Sequence, residues 1–83
     1  MKVKVLVFAS YREIAGGDFI EVQMPEADGW TVAELRRCIS DQYPRLAAGM
    51  GSALFAVDEV MARDGSRFGP ESSLAAMPPV SGG

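Results

Sequence analysis

"WTVAELRRCISDQYP", residues 30–44, decides how the rest of this chain can fold. Thr31 and Glu34 stand three positions apart at the head of an apolar run, the spacing of a capping box in which each side chain bonds the other's backbone N–H. Val32, Leu35 and Ile39 then recur at helical spacing, with Cys38 at the edge of that face. Pro44 closes the segment, because the residue before a proline is pushed out of the helical region. The stretch predicts the one long helix of the chain, with a single apolar face that something must cover.

Strands lie on both sides of it. In "KVKVLVF", residues 2–8, Val3, Val5 and Val7 alternate with Lys4, Leu6 and Phe8; in "FIEVQMP", residues 19–25, Phe19, Glu21 and Gln23 oppose Ile20, Val22 and Met24 before Pro25 ends the run. "SYREIAGG", residues 10–17, joins them, with Ser10 and Glu13 predicting another capping box and Gly16-Gly17 a helix stop. The two strands are therefore expected to pair antiparallel across a helical turn. Beyond the main helix, "RLAAGMG" predicts one more turn ended by Gly49 or Gly51, "ALFAVDEVMA" one strand or two short ones, "RDGSRFGPESS" turns, and "LAAMP" a last strand. The compact solution packs the helix on the valine face of a mixed sheet with the first and last strands side by side in the middle. This is an α+β chain with the β-grasp, or ubiquitin-like, arrangement, a single domain over residues 1–83 with an extended tail at 78–83.

Composition narrows the function. With 83 residues the chain suffices for one modest core but not for an enclosed active-site cleft, so independent catalysis is not expected. Eight Lys plus Arg against eleven Asp plus Glu leave a net charge of −3, and the only basic concentration is Arg36-Arg37, which argues against a nucleic-acid partner. The apolar run Val5 to Ala9 is too short for a signal peptide or a membrane span, and a lone cysteine forms no intrachain disulfide; a soluble cytoplasmic protein with no membrane partner is expected. Histidine is absent, which removes the common zinc sites and His-assisted nucleophiles, and no metal site is expected. Cys38 reads as a small buried hydrophobe rather than a nucleophile, "GMGS" at 49–52 as a turn rather than a phosphate loop, and Asp58, Glu59 and Asp64 as solvated loop carboxylates rather than calcium ligands.

"MPPVSGG", residues 77–83, is different, because each residue type has a mechanical use. Pro78-Pro79 lacks backbone N–H groups and fixes φ, ending strand pairing and sending Val80 and Ser81 off the sheet as a stiff lead. Gly82-Gly83 lacks Cβ atoms, so a partner can enclose the backbone in a narrow channel and bring a terminal carboxylate to a reactive phosphate. The strand phases add a surface: with Val3, Val5, Val7, Leu74 and Ala76 turned to the helix, Leu6, Phe8, Ala75 and Met77 fall on the open face. An apolar patch on a small domain marks a partner interface, and Leu6, Phe8 and Met77 are the docking candidates.

Over its full length the chain resembles the small subunit of molybdopterin synthase, in the ubiquitin-like sulfur-carrier family. "VLVFASYREIAG" is similar to that family's first strand and Arg-Glu turn, "TVAELRRCISDQYP" to its helix, "AVDEV" to its central strand and "MPPVSGG" to its terminal signature. The resemblance implies that a ubiquitin-activating-type adenylyltransferase uses Mg-ATP to adenylate the Gly83 carboxylate, which a sulfur source converts to a thiocarboxylate. It further implies that the tail, Pro78 to Gly83, enters the large synthase subunit, in a heterotetramer of two small and two large subunits. There the sulfur passes to cyclic pyranopterin monophosphate, no cofactor being held tightly by this chain. A sulfur carrier for thiamine or another thiolated metabolite, or a ubiquitin-like protein modifier, are the alternatives. Asp58, where the resemblance leads one to expect Asn, and "PESSLAAM" at 70–77, in place of the usual lead into the last strand, depart from the family pattern.

Overall fold

The computed structural model describes residues 1–79. In chain order the elements are β1 (Lys2–Val7), α1 (Ser10–Ala15), β2 (Phe19–Gln23), β3 (Trp30–Thr31), α2 (Val32–Gln42), α3 (Pro44–Met50), β4 (Leu54–Val57), β5 (Val60–Ala62), β6 (Arg67–Phe68) and β7 (Leu74–Met77). Five strands form a sheet in the order β2-β1-β7-β4-β5, and β3 pairs with β6 in a two-stranded ribbon. β1 runs antiparallel to β2 and parallel to β7, placing the first and last strands together at the centre as the alternation requires. This is the β-grasp arrangement expected from the sequence.

The valine face meets the helices. Val3, Val5, Val7, Ile20, Val22, Leu74 and Ala76 of the sheet are buried in one cluster with Val32, Leu35 and Ile39 of α2 and with Leu46 and Met50 of α3. Each such aliphatic side chain contributes about 1.5–3 kcal/mol on burial, so this layer is the chief source of stability. The Thr31–Glu34 capping box forms in both directions: Glu34 N donates to Thr31 Oγ1 at 3.2 Å and Thr31 N donates to Glu34 Oε1 at 3.0 Å. Those Thr31 hydrogen bonds hold the Glu34 carboxyl below the usual glutamate range.

The Ser10–Glu13 capping box does not form. Ser10 is already helical; Ala9 takes the cap position at φ 53°, ψ −129°, with no side-chain bond. The donors that a serine cap would satisfy go to backbone oxygens instead, Tyr11 N to Phe8 O and Arg12 N and Glu13 N to Ala9 O. Gly16 does end α1, left-handed at φ 75°, with its N–H on Arg12 O. The segment 63–73, expected to be turns alone, contains β6, and Trp30, expected within the helix stretch, belongs to its partner β3. Phe68 is buried against Trp30 with ring centroids 5.7 Å apart. Gly29 permits this approach, since a Cβ there would lie 2.9 Å from Phe68 O. The segment 53–62 resolves into two strands around Asp58 and Glu59, both at positive φ (50° and 69°), the backbone of a primed hairpin turn.

Arg36, legible in the sequence only as half of a basic pair, ties three segments together. Its Nη1 donates to Met50 O (2.7 Å) and Ala53 O (2.9 Å), its Nη2 pairs with Asp64 Oδ1 (2.8 Å), and its guanidinium lies 5.0 Å from the Phe55 ring centroid.

Candidate functional site: the open face and the root of the tail

The pairing registers line up one row of side chains across all five strands of the sheet on the face away from the helices: Phe19, Leu6, Ala75, Ala56 and Met61. Toward the end where β7 finishes, Met77 pairs with Leu54, and Phe8 follows the last residue of β1 with its N–H on Ala76 O at 3.3 Å. Leu6, Phe8, Phe19 and Met61 are 41–57% exposed, whereas the side chains of β1 and β2 on the opposite face, Val3, Val5, Val7, Ile20 and Val22, are 0–5% exposed. Because β1 and β7 are parallel and adjacent, Phe8 and Met77 sit at the same end of the sheet. The apolar surface therefore runs up to the point at which the chain leaves the last strand.

Of the docking candidates, Leu6 and Phe8 are exposed and Met77 is half-buried on this face; Ala75, also half-buried, separates Leu6 from Ala56. Met77 is the last residue of β7, Pro78 is half-buried and Pro79 exposed. Val80, Ser81, Gly82 and Gly83 lie outside the described residues. Three exposed apolar residues of the open face were not among the candidates. Phe19 was signalled by its alternation with Ile20, whereas Leu54 and Met61 had no readable phase until the hairpin between them was known.

The remaining chemistry is structural. Cys38 packs half-buried against the core, and burial, reinforced by the Asp41 carboxylate, pushes its thiol above the usual range, away from the reactive thiolate. Asp58 Oδ1 accepts from Ser73 N at 2.8 Å, and Asp58 N donates to Ser73 O, so Asp58 fastens the β4–β5 turn to the lead into β7 through bonds that an Asn there could also make. Asp64 is engaged by Arg36. Among the described residues no three His, Cys, Asp or Glu side chains are grouped to hold a metal ion, and no helix is long and apolar enough to cross a membrane. An open depression lies at the α1 corner, lined by Ala9, Arg12, Glu13 and Asp18, with Arg12 paired to Asp18 at 2.8 Å.

A family model, the ThiS family, matches residues 5–83. The chain belongs to the ThiS family. Among curated relatives it is 35% identical over 85 residues to a molybdopterin synthase sulfur carrier subunit of Caenorhabditis briggsae, covering 100% of this chain and 99% of that one. It is 34% identical over 82 residues to the protein of the same description in Dictyostelium discoideum, covering 96% and 94%. Among solved structures it resembles subunit 1 of a molybdopterin converting factor from Pyrococcus furiosus, at 25% identity and TM-score 0.76 over 96% of this chain and 99% of that one. It shares its fold, at 20% identity and TM-score 0.63 over the whole of both chains, with a structure described as the complex of subunits 1 and 2 of the Helicobacter pylori molybdopterin-converting factor. This ThiS-family chain thus keeps the fold across its relatives' full length, including the sheet that carries the apolar row.

Proposed function

We propose that this chain is the sulfur-carrier subunit of a molybdopterin synthase, docking through its open face and presenting its C-terminal Gly83 to the active sites of its partners. One observation carries the reading: the apolar surface of the open face extends to half-buried Met77, the last residue of β7, so a partner on that face lies beside the point where the tail begins. The relatives' shared description as sulfur carrier subunits supports the same assignment.

The chemistry needs a protein end rather than a cleft. A free carboxylate is a poor electrophile, so an activating adenylyltransferase joins the Gly83 carboxylate to the AMP moiety of Mg-ATP, releasing pyrophosphate. A sulfur donor then displaces AMP and leaves a thiocarboxylate. In the large synthase subunit the terminal sulfur attacks a carbon of cyclic pyranopterin monophosphate and displaces an oxygen substituent, and water then cleaves the acyl–sulfur bond, leaving the sulfur on the pterin and returning Gly83 as a carboxylate for the next cycle. Pro78-Pro79 supplies stiffness to this lead and Gly82-Gly83 its thinness. The catalytic side chains belong to the partners, and the small subunits assemble with the large ones as a heterotetramer.

The test is the intact mass of the chain after incubation with the pathway's activating enzyme, Mg-ATP and a sulfide donor. The reading predicts a gain equal to exchanging one oxygen for sulfur, absent from a version lacking Gly83. No gain, with the activating enzyme working on a known carrier, rejects it.

A further inference from the structure

The docking residues proposed so far lie on β1 and β7, yet the apolar row does not stop there. It continues onto β2 through Phe19, which pairs across the strands with Leu6 and is 45% exposed. An aromatic ring in water beside a strand edge is a liability unless something covers it. Beside it here are the Leu6 side chain across the strands and a cation: Lys4 Nζ lies 4.0 Å from the Phe19 ring centroid, while Glu21 is the cross-strand neighbour of Lys4.

The edge of β2 is partly closed. The Gln42 side-chain amide accepts from Gln23 N at 2.7 Å and donates to Gln23 O at 2.8 Å, imitating a neighbouring strand, and Tyr43 Oη donates to Glu21 O at 2.6 Å. A strand from a second copy therefore finds these backbone groups already bonded. What this side of the sheet offers a partner is its open face, where the exposed Phe19 ring of β2 stands beside the Lys4 ammonium of β1, itself opposite Glu21 of β2.

Resting on the functional reading above, we infer that Phe19 and Lys4 form a second arm of the docking surface, taking a partner surface that sets an apolar side chain on the ring and a carboxylate opposite the ammonium. The occupant is the large synthase subunit, because the arm is continuous through Leu6 with the patch that ends at the tail root. Docking strips water from the ring and from the Lys4–partner pair together, which strengthens both contacts.

The experiment is calorimetric titration of the cognate large subunit with the full chain and with Phe19→Ala, Lys4→Glu and Met77→Asp. Folding is checked by thermal melting: Phe19→Ala is expected to leave the melting temperature unchanged, and Lys4→Glu, which faces Glu21 across the strands, to lower it while the chain stays folded at the titration temperature. The inference predicts that Phe19→Ala weakens binding roughly tenfold and Lys4→Glu by a similar factor at low salt, the latter loss shrinking at high salt. Phe19→Leu retains most of the affinity. Loss with Met77→Asp but changes within twofold for Phe19→Ala and Lys4→Glu overturns the second arm while leaving the docking face intact. Self-association of the chain that Phe19→Ala abolishes, with unchanged affinity for the large subunit, also overturns it and assigns the ring to a second copy. A wild-type chain that fails to bind at all removes the functional reading and the arm together.

Discussion

The two faces of the same central strands have opposite fates. On β1, Val3, Val5 and Val7 are at most 4% exposed, while the interleaved Leu6 and the following Phe8 are 41% and 46% exposed. Both sets are apolar, so hydrophobicity does not separate them; what separates them is that α2 and α3 cover one face and leave the other open. A chain this small has only enough helix for one side of its sheet. The apolar residues left on the uncovered side add little to the isolated fold, and on the proposed reading they serve a partner that completes the second layer.

The sharpest way to break the comparison is to truncate one residue on each face. Leu35→Ala, under the sheet and 0% exposed, is expected to cost about 2–5 kcal/mol in urea unfolding, whereas Leu6→Ala on the open face stays within about 1 kcal/mol and instead weakens large-subunit binding. Equal stability losses would mean that the open face is part of the core. Next in size is the helix cap on the covered side. Thr31→Ala is expected to remove about 1 kcal/mol without touching partner affinity, while Ser10→Ala, whose capping box does not form, changes stability by less than about 0.5 kcal/mol. A loss at Ser10 matching that at Thr31 would show a cap forming in solution.

That contrast also shows what the sequence makes legible. The α2 box could be read because Thr31, Glu34 and the apolar run belong to one contiguous helix, and local geometry decides it. The Ser10 motif has the same spacing, but the preceding turn through Ala9 supplies backbone oxygens to the helix start, and no spacing rule reports that. β6 escaped because two residues have no periodicity, and its pairing with Trp30 and Thr31 depends on a long-range approach across Gly29. The β4–β5 hairpin was blurred because its positive-φ positions hold Asp58 and Glu59 instead of the Asn-Gly that announces such turns. Of the docking surface, the β1 and β7 phases were legible and Phe19 was in phase but overlooked. Leu54 and Met61 needed the hairpin first.

A smaller effect sharpens the boundary between the faces. Ala9 joins β1 to α1 at φ 53°, ψ −129°, a backbone region that glycine occupies without a Cβ penalty. Ala9→Gly is therefore expected to stabilise the chain by up to about 1 kcal/mol, the relief of strain exceeding the added entropy of the unfolded chain. A lower melting temperature would contradict that account of the corner.

The smallest effect is the pH response of the covered side. Because the folded-state pKa of Glu34 is depressed by its Thr31 hydrogen bonds, its contribution is full above the unfolded-state pKa and is lost as pH falls through the folded value. Glu34→Gln, which keeps the capping geometry without the titration, should flatten the stability curve from the ordinary glutamate range downward. An unchanged acid limb would remove Glu34 from the explanation.

The most direct test of the two-face account is a methyl NMR titration of the chain with the large subunit. The side chains of Leu6, Met61 and Met77 report the open face; those of Val3, Val5 and Leu35 report the covered one. Large shifts or broadening confined to the first group, saturating together, are the predicted result. Perturbations centred on α2 or α3, with Leu6 and Met77 unmoved, would contradict the claim that the uncovered side of the sheet is where this carrier meets its partner.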